Sequence, residues 1–179
     1  QLGIEVYFAD DRAKWLMNNH DDLKKEIISL FGEESYLNGE LNRSHISKIA
    51  FTDTEKLKKL NESVHPRVFD DYKKWSLEMK EKGHKYILKE AALLFESGSY
   101  KELDYIICVV ADEEIRIKRV MERDGISRDE VLQRINKQMK QEEKMKLSKF
   151  IIQNNGEGSL IEQVIKIDKE IKKLLNNHL

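Results

Sequence analysis

The chain has 179 residues, 32 of them Lys or Arg and 33 Asp or Glu, for a net charge of -1, and 40% are hydrophobic. A chain of this size buries about 70% of the surface its unfolded form exposes, so it needs no disulfide or metal staple, and its single cysteine excludes an internal disulfide. Balanced charge argues against attachment to nucleic acid or anionic membrane by bulk electrostatics, no apolar run approaches the ~20 residues of a membrane span, and one thiol points to a reducing compartment, with the cytoplasm as the expectation.

One proline, and no Ser/Gly-rich linker, low-complexity tract or repeat, make residues 1–179 read as a single domain. Gln1 is not an initiator, and Gly3-Ile4-Glu5-Val6-Tyr7-Phe8-Ala9 enters a strand with no preceding turn, so an upstream segment is expected. A short strand over 5–9 precedes a helical stretch over 11–30, which Gly32 stops and Asn18-Asn19-His20 divides. Residues 42–82 are helical in pattern almost throughout, with helix starts at Thr52-Asp53-Thr54 and near Pro66 and a stop at Gly83.

Apolar, β-rich segments follow over 86–94 and 105–111. The second, Ile106-Ile107-Cys108-Val109-Val110, reads as a strand buried on both faces of a parallel sheet, with Cys108 buried and inert. Asp112 can cap a helix ending at Gly125, and Ser127 a second, highly charged helix over 127–146. A last short strand, Phe150-Ile151-Ile152, turns at Asn154-Asn155-Gly156. The final helix sets Leu160, Ile161, Val164, Ile165, Ile171, Leu174 and Leu175 on one apolar face. Strands alternating with helices make the fold α/β.

Asp10 stands just beyond the carboxyl end of the first strand, where ligands bind in open α/β sheets, and Asp11 beside it suits a helix cap. Arg119 and Arg123, on one face of a predicted helix, can approach a single anion. Solvated charge explains them as well on sequence alone, since Glu122 and Asp124 adjoin them. Asn154-Asn155-Gly156 is by composition a turn that tolerates positive φ, and Leu93-Leu94-Phe95-Glu96 the end of a strand with an exposed glutamate.

Several separated segments, in this order, resemble the dephospho-coenzyme A kinases, a family of P-loop kinases. They are residues 3–12; Leu41-Asn42-Arg43 with Ile49-Ala50-Phe51-Thr52-Asp53; Val64-His65-Pro66; and Glu90-Ala91-Ala92-Leu93-Leu94-Phe95-Glu96. The last runs over 119–156 and includes Arg119-Val120-Met121-Glu122-Arg123-Asp124, Arg134, Gln138, Lys144 and Asn154-Asn155-Gly156.

The resemblance implies a P-loop kinase-like parallel sheet of order 2-3-1-4-5 flanked by helices, a helical acceptor lobe over 33–82 and a helical lid over 113–147. The implied reaction carries the γ-phosphoryl group of ATP, with Mg²⁺, to the ribose 3'-hydroxyl of dephospho-coenzyme A, the last step of coenzyme A biosynthesis. The implied partners are these small molecules, not nucleic acid or membrane. By the same resemblance Asp10 is the general base, and Arg123 and Arg134 act catalytically on the transferring phosphoryl group. Arg119, Arg123 and Asn154 contact ATP, while Arg43, His65, Phe95 and Gln138 contact the acceptor. No residue is assigned as a metal ligand, and Phe8 stands where many relatives carry an earlier aspartate.

The sequence contains no G-x-x-x-x-G-K-[ST], so a strand, phosphate-binding loop and helix of about 24 residues are expected upstream. The first strand of the implied order is then missing from the centre of the sheet, leaving a gap between the predicted strands at 86–94 and 105–111. Other departures are Ala92 for proline, Ser148-Lys149 for Ala-Asp and Gln153 for Asp. Two alternatives stay open: another P-loop small-molecule or nucleotide kinase, or a coenzyme A-binding module without catalysis if that loop is truly absent.

Overall fold

In the computed structural model, which describes residues 2–177, the chain divides into two units, Gln1–Ala92 and Leu93–Leu179. The first opens with β1 (Val6–Phe8) and passes directly into α1 (Ala9–Asn19) and α2 (Asp21–Phe31). Short hairpin strands follow, β2 (Tyr36–Leu37) and β3 (Glu40–Leu41), then α3 (Arg43–Thr52), α4 (Thr54–Glu81) and β4 (Leu88–Glu90). β1 and β4 pair in parallel, with Val6 opposite Leu88 and Phe8 opposite Glu90.

His20 makes the expected break. Its backbone is extended, its N–H closes α1 on the Leu16 carbonyl at 2.9 Å, and its imidazole accepts from the Leu23 N–H at 3.4 Å to start α2. Asn38 and Gly39, both at positive φ, give the tight turn between β2 and β3. Asn42 and Asp53 cap α3 and α4 by accepting from the His45 and Lys56 N–H groups. Leu16, Leu23, Ile27, Phe31, Ile46, Leu60 and Val64 then meet in one buried cluster.

Pro66 starts no helix; it lies inside α4. It forfeits one intrahelical hydrogen bond, and α4 runs on because Leu60, Val64 and Val68, on both sides of it, pack into the same cluster.

The second unit contains a 3-10 turn at Ser99–Glu102, β5 (Ile107–Val110), α5 (Glu113–Asp124) and α6 (Arg128–Asn136). It continues with α7 (Gln141–Lys146), β6 (Phe150–Gln153) and α8 (Leu160–Asn176). β5 and β6 are also parallel, with Ile107 opposite Phe150 and Val110 opposite Gln153. Each parallel pair is joined through helices, the connection parallel strands require.

The strand expected over 86–94 is confined to Leu88–Glu90. With α1 beginning at Ala9, no extended chain remains to pair with residues 91–94, which turn instead, so Leu93 and Leu94 are not strand residues. The helix expected over 127–146 is two helices. Ser127 and Glu130 form a capping box at the start of α6, but in the break at 137–140 the Met139 N–H donates to the Glu96 carboxylate at 2.8 Å instead of to a helical carbonyl.

Burial in β5 alternates, contrary to a strand buried on both faces. Cys108 and Val110 are buried while Val109 is 59% exposed, because successive side chains point to opposite faces and the described residues cover one of them. α8 buries Ile167 and Ile171 but leaves Leu160, Ile161, Val164 and Ile165 exposed, so only the later part of its apolar face is packed. Among the described residues no helix is long and apolar enough to cross a membrane.

Candidate active site

In the first unit Asp10 sits in the first turn of α1, directly after β1, with its side chain exposed. One carboxylate oxygen accepts from the Ala92 N–H at 3.4 Å. Because Phe8 lies opposite Glu90, the carboxyl ends of β1 and β4 bring Asp10 and Glu90 to the same region. Burial, then the negative charges of Asp10 and Asp11, hold the Glu90 carboxyl above its ordinary value. Asp11 does not cap α1: the helix has already begun at Ala9, the cap position is Phe8, and Asp11 instead pairs with Lys14 at 2.6 Å.

Arg43 is the first residue of α3 and is exposed. His65 lies on α4, in an open groove of about 480 Å³ lined also by Thr54, Leu57, Lys58, Asn61, Glu62 and Pro66. Among the described residues no hydrogen bond or ion pair joins Arg43 or His65 to Asp10. A network that the sequence did not disclose ties α1 to α4. Asp71 accepts from the Tyr7 hydroxyl at 2.7 Å and from Arg12 Nε at 2.8 Å and Nη2 at 2.5 Å, and the Arg12 guanidinium stacks 4.5 Å over Trp15.

The second unit gathers the arginines. Arg119 Nη1 donates to the Asn154 carbonyl at 2.8 Å, bringing these two predicted residues together. Arg123 donates to its neighbour Asp124 from Nε at 2.7 Å and Nη2 at 3.2 Å, and Arg134 reaches the same carboxylate from α6 at 2.7 Å. All three guanidinium groups are exposed, and such planar forks match phosphate oxygens. Asn155 and Asp112 form two hydrogen bonds, 2.9 and 3.0 Å, fixing the turn after β6 against the start of α5. Asp112 occupies the α5 cap position, yet its side chain makes no capping bond.

Gln138 does not continue the Arg134 face of α6. The helix has ended at Asn136, and Gln138 lies exposed in the break that follows. Phe95 is buried, 5.3 Å from the Tyr100 ring, and packs within its own unit. Glu96 accepts from Met139 and pairs with Lys144 at 3.0 Å.

A family model described as Dephospho-CoA kinase matches residues 1–159. The chain belongs to the dephospho-CoA kinase family. It is 41% identical over 160 residues to the dephospho-CoA kinase of Listeria monocytogenes, covering 87% of this chain and 78% of that one. To the dephospho-CoA kinase of Bacteroides fragilis it is 34% identical over 170 residues, covering 93% and 80%. Solved structures agree. The crystal structure of TT1252 from Thermus thermophilus superposes with a TM-score of 0.73 at 32% identity, over 96% of this chain and 85% of that one. A dephospho-CoA kinase from Campylobacter jejuni gives 0.66 at 28% identity, over 99% and 88%. The α/β fold, with its small parallel sheets and many helices, is that of these structures.

Kinases of this family take ATP as phosphoryl donor, and the three exposed arginines of the second unit suit a polyphosphate. Among the described residues no group of three or more His, Cys, Asp or Glu side chains is arranged to hold a metal ion. Mg²⁺ in kinase sites keeps several waters and is held by substrate phosphates with one or two carboxylates. Glu90, at the carboxyl end of β4 opposite Phe8, is a carboxylate in that position.

Proposed function

We propose that this chain phosphorylates the ribose 3'-hydroxyl of dephospho-coenzyme A with ATP, giving coenzyme A. The observation that carries the assignment of the base is Asp10. It is exposed at the carboxyl end of β1, and among the described residues no cation pairs with it, whereas adjacent Asp11 is taken up by Lys14. A carboxylate so placed can orient the acceptor hydroxyl and accept its proton as the phosphoryl group arrives. Mg²⁺ bound with ATP would supply charge neutralisation at the phosphates, and the Glu90 carboxylate beside Asp10 would help to hold it.

Arg123 and Arg134 stabilise the charge spreading over the transferring group, and Arg119 and Asn154 hold ATP. Arg43, His65, Phe95 and Gln138 contact the acceptor, with residues 33–82 as acceptor lobe and 113–147 as lid of one kinase domain. The sheet takes the order 2-3-1-4-5, in which β1 and β4 are the second and third strands, β5 and β6 the fourth and fifth, and the first strand lies between the pairs. Two separate two-stranded parallel sheets support this order, because isolated strand pairs are marginal in water and open edges seek a partner. A single buried thiol supports the cytoplasm as the compartment.

The test is an acceptor panel run with the complete protein. Dephospho-coenzyme A should be phosphorylated in strong preference to adenosine, AMP or shikimate. Equal rates on AMP would make the chain a general nucleotide kinase, and ligand binding without turnover would make it a binding module.

A further inference from the structure

Glu96 is a carboxylate that the proposed chemistry leaves unused, yet its side chain is only 22% exposed and its partner Lys144 only 16%. Its Oε1 accepts from the Met139 N–H at 2.8 Å and from Lys144 Nζ at 3.0 Å. Burial alone would raise this carboxyl, but the bonds from Lys144 and Met139 outweigh it and hold the group below its ordinary value, ionised across the neutral range.

The two donors lie in and just beyond the break between α6 and α7. Met139 lies within it, and Lys144 lies one turn into α7. On the other side, Glu96 follows Phe95, whose ring is fixed by burial against Tyr100. The break has no proline or glycine to cause it. The last turn of α6 tightens as Lys137 and Gln138 donate to the Arg134 and Ile135 carbonyls at 3.3 and 3.0 Å. The next N–H, that of Met139, finds a charged acceptor 43 residues away in sequence, a charge-assisted bond roughly twice as strong as a neutral helical one. Remove the carboxylate and the Met139 N–H is free to take over the Ile135 carbonyl that now accepts from Gln138, prolonging α6 and rotating Gln138.

We propose that Glu96 is a positioning residue: held by Lys144, it fixes where α6 stops and thereby places Arg134 and Gln138 for the reaction. The role in catalysis rests on the proposed kinase function, whereas the control of the break does not.

The test uses Glu96→Ala, Glu96→Gln and Lys144→Met in the complete protein. In Glu96→Ala the Met139 amide should exchange with solvent about tenfold faster or more, while the Ile117 amide in α5 is unchanged, the mark of a local rather than global opening. Glu96→Gln keeps the size of the side chain but loses the charge. It and Lys144→Met should each lower kcat by about tenfold and raise the KM for dephospho-coenzyme A, which Gln138 contacts, with the KM for ATP nearly unchanged. The double variant should be no worse than the poorer single one, since both remove one interaction. A general loss of packing would instead lower the melting temperature and leave kcat per folded molecule intact. Unaltered Met139 exchange, or additive losses in kcat, would overturn the proposal. If the wild-type protein fails to phosphorylate dephospho-coenzyme A, only the kinase function falls, because the exchange measurement needs no turnover.

Discussion

Arg134 and Arg123, on successive helices, share one anion: Arg134 donates from Nη1 to Asp124 at 2.7 Å while Arg123 grips the same carboxylate with Nε and Nη2. Opposite charge between them allows two guanidinium groups to sit close together without an incoming phosphate. Hydrogen bonds from Arg123 and then Arg134 pull the Asp124 carboxyl down to about 2 from an ordinary 3.8. A depressed carboxylate contributes stability that is complete above its unfolded value and lost as pH falls through its folded one. The cluster should therefore persist from neutral pH to near 4 and dissolve between about 4 and 2, with no part in any pH dependence of activity between pH 5 and 8. Carbon-detected NMR titration of the Asp124 carboxyl checks this, and an ordinary midpoint would contradict it.

Arg123→Ala should lower kcat by about 10²–10³ while weakening ATP binding much less, if the guanidinium meets charge that develops in the transition state. α5 should survive the change, since alanine is the better helix former. A defect confined to KM for dephospho-coenzyme A would move Arg123 to the acceptor side.

Asp10→Asn retains the shape of the side chain and an oxygen able to accept the Ala92 N–H, and it removes only the base. Turnover should fall by about 10²–10⁴, with ATP affinity unchanged by calorimetry. Normal kcat in this variant would sink the assignment of Asp10.

Features set by local chemistry were legible in the sequence. Gly32 and Gly125 end helices, Asp53 and Ser127 start them, and His20 separates α1 from α2, each acting within a few residues of the backbone groups it satisfies. The break at 137–140 was not legible, because its cause, Glu96, is remote in the chain and no local residue marks it. Nor was Asp124 as the shared anchor of two arginines, since a carboxylate beside an arginine on a charged helix looks like any solvated pair. Arg119 and Asn154, 35 residues apart, were legible only as members of a family pattern, and their direct hydrogen bond comes from the pairing of β5 with β6.

The same limit hid Tyr7 and Asp71, 64 residues apart, whose contact decides how α4 is fastened to β1 and α1. Tyr7 is 2% exposed, its ring 5.1 Å from Tyr72 and 5.4 Å from Trp75, and its hydroxyl also donates to the Val68 carbonyl at 3.2 Å. Burial, reinforced by the Asp71 hydrogen bond and charge, raises the Tyr7 pKa, so the hydroxyl stays a donor throughout the useful range. Tyr7→Phe keeps the ring packing and leaves Asp71 its two bonds from Arg12, so it should cost about 1–1.5 kcal/mol. Asp71→Ala does more harm, because it deprives a partly buried guanidinium of its acceptor and leaves the buried Tyr7 hydroxyl only its longer bond to Val68, and should cost about 2–3 kcal/mol. The double variant should cost less than the sum of the two, since the Tyr7–Asp71 bond that Asp71→Ala removes is already gone. Urea unfolding at constant m-value measures all three. Strict additivity, or a larger loss for Tyr7→Phe than for Asp71→Ala, would mean that ring packing rather than the Asp71 carboxylate holds α4 in place.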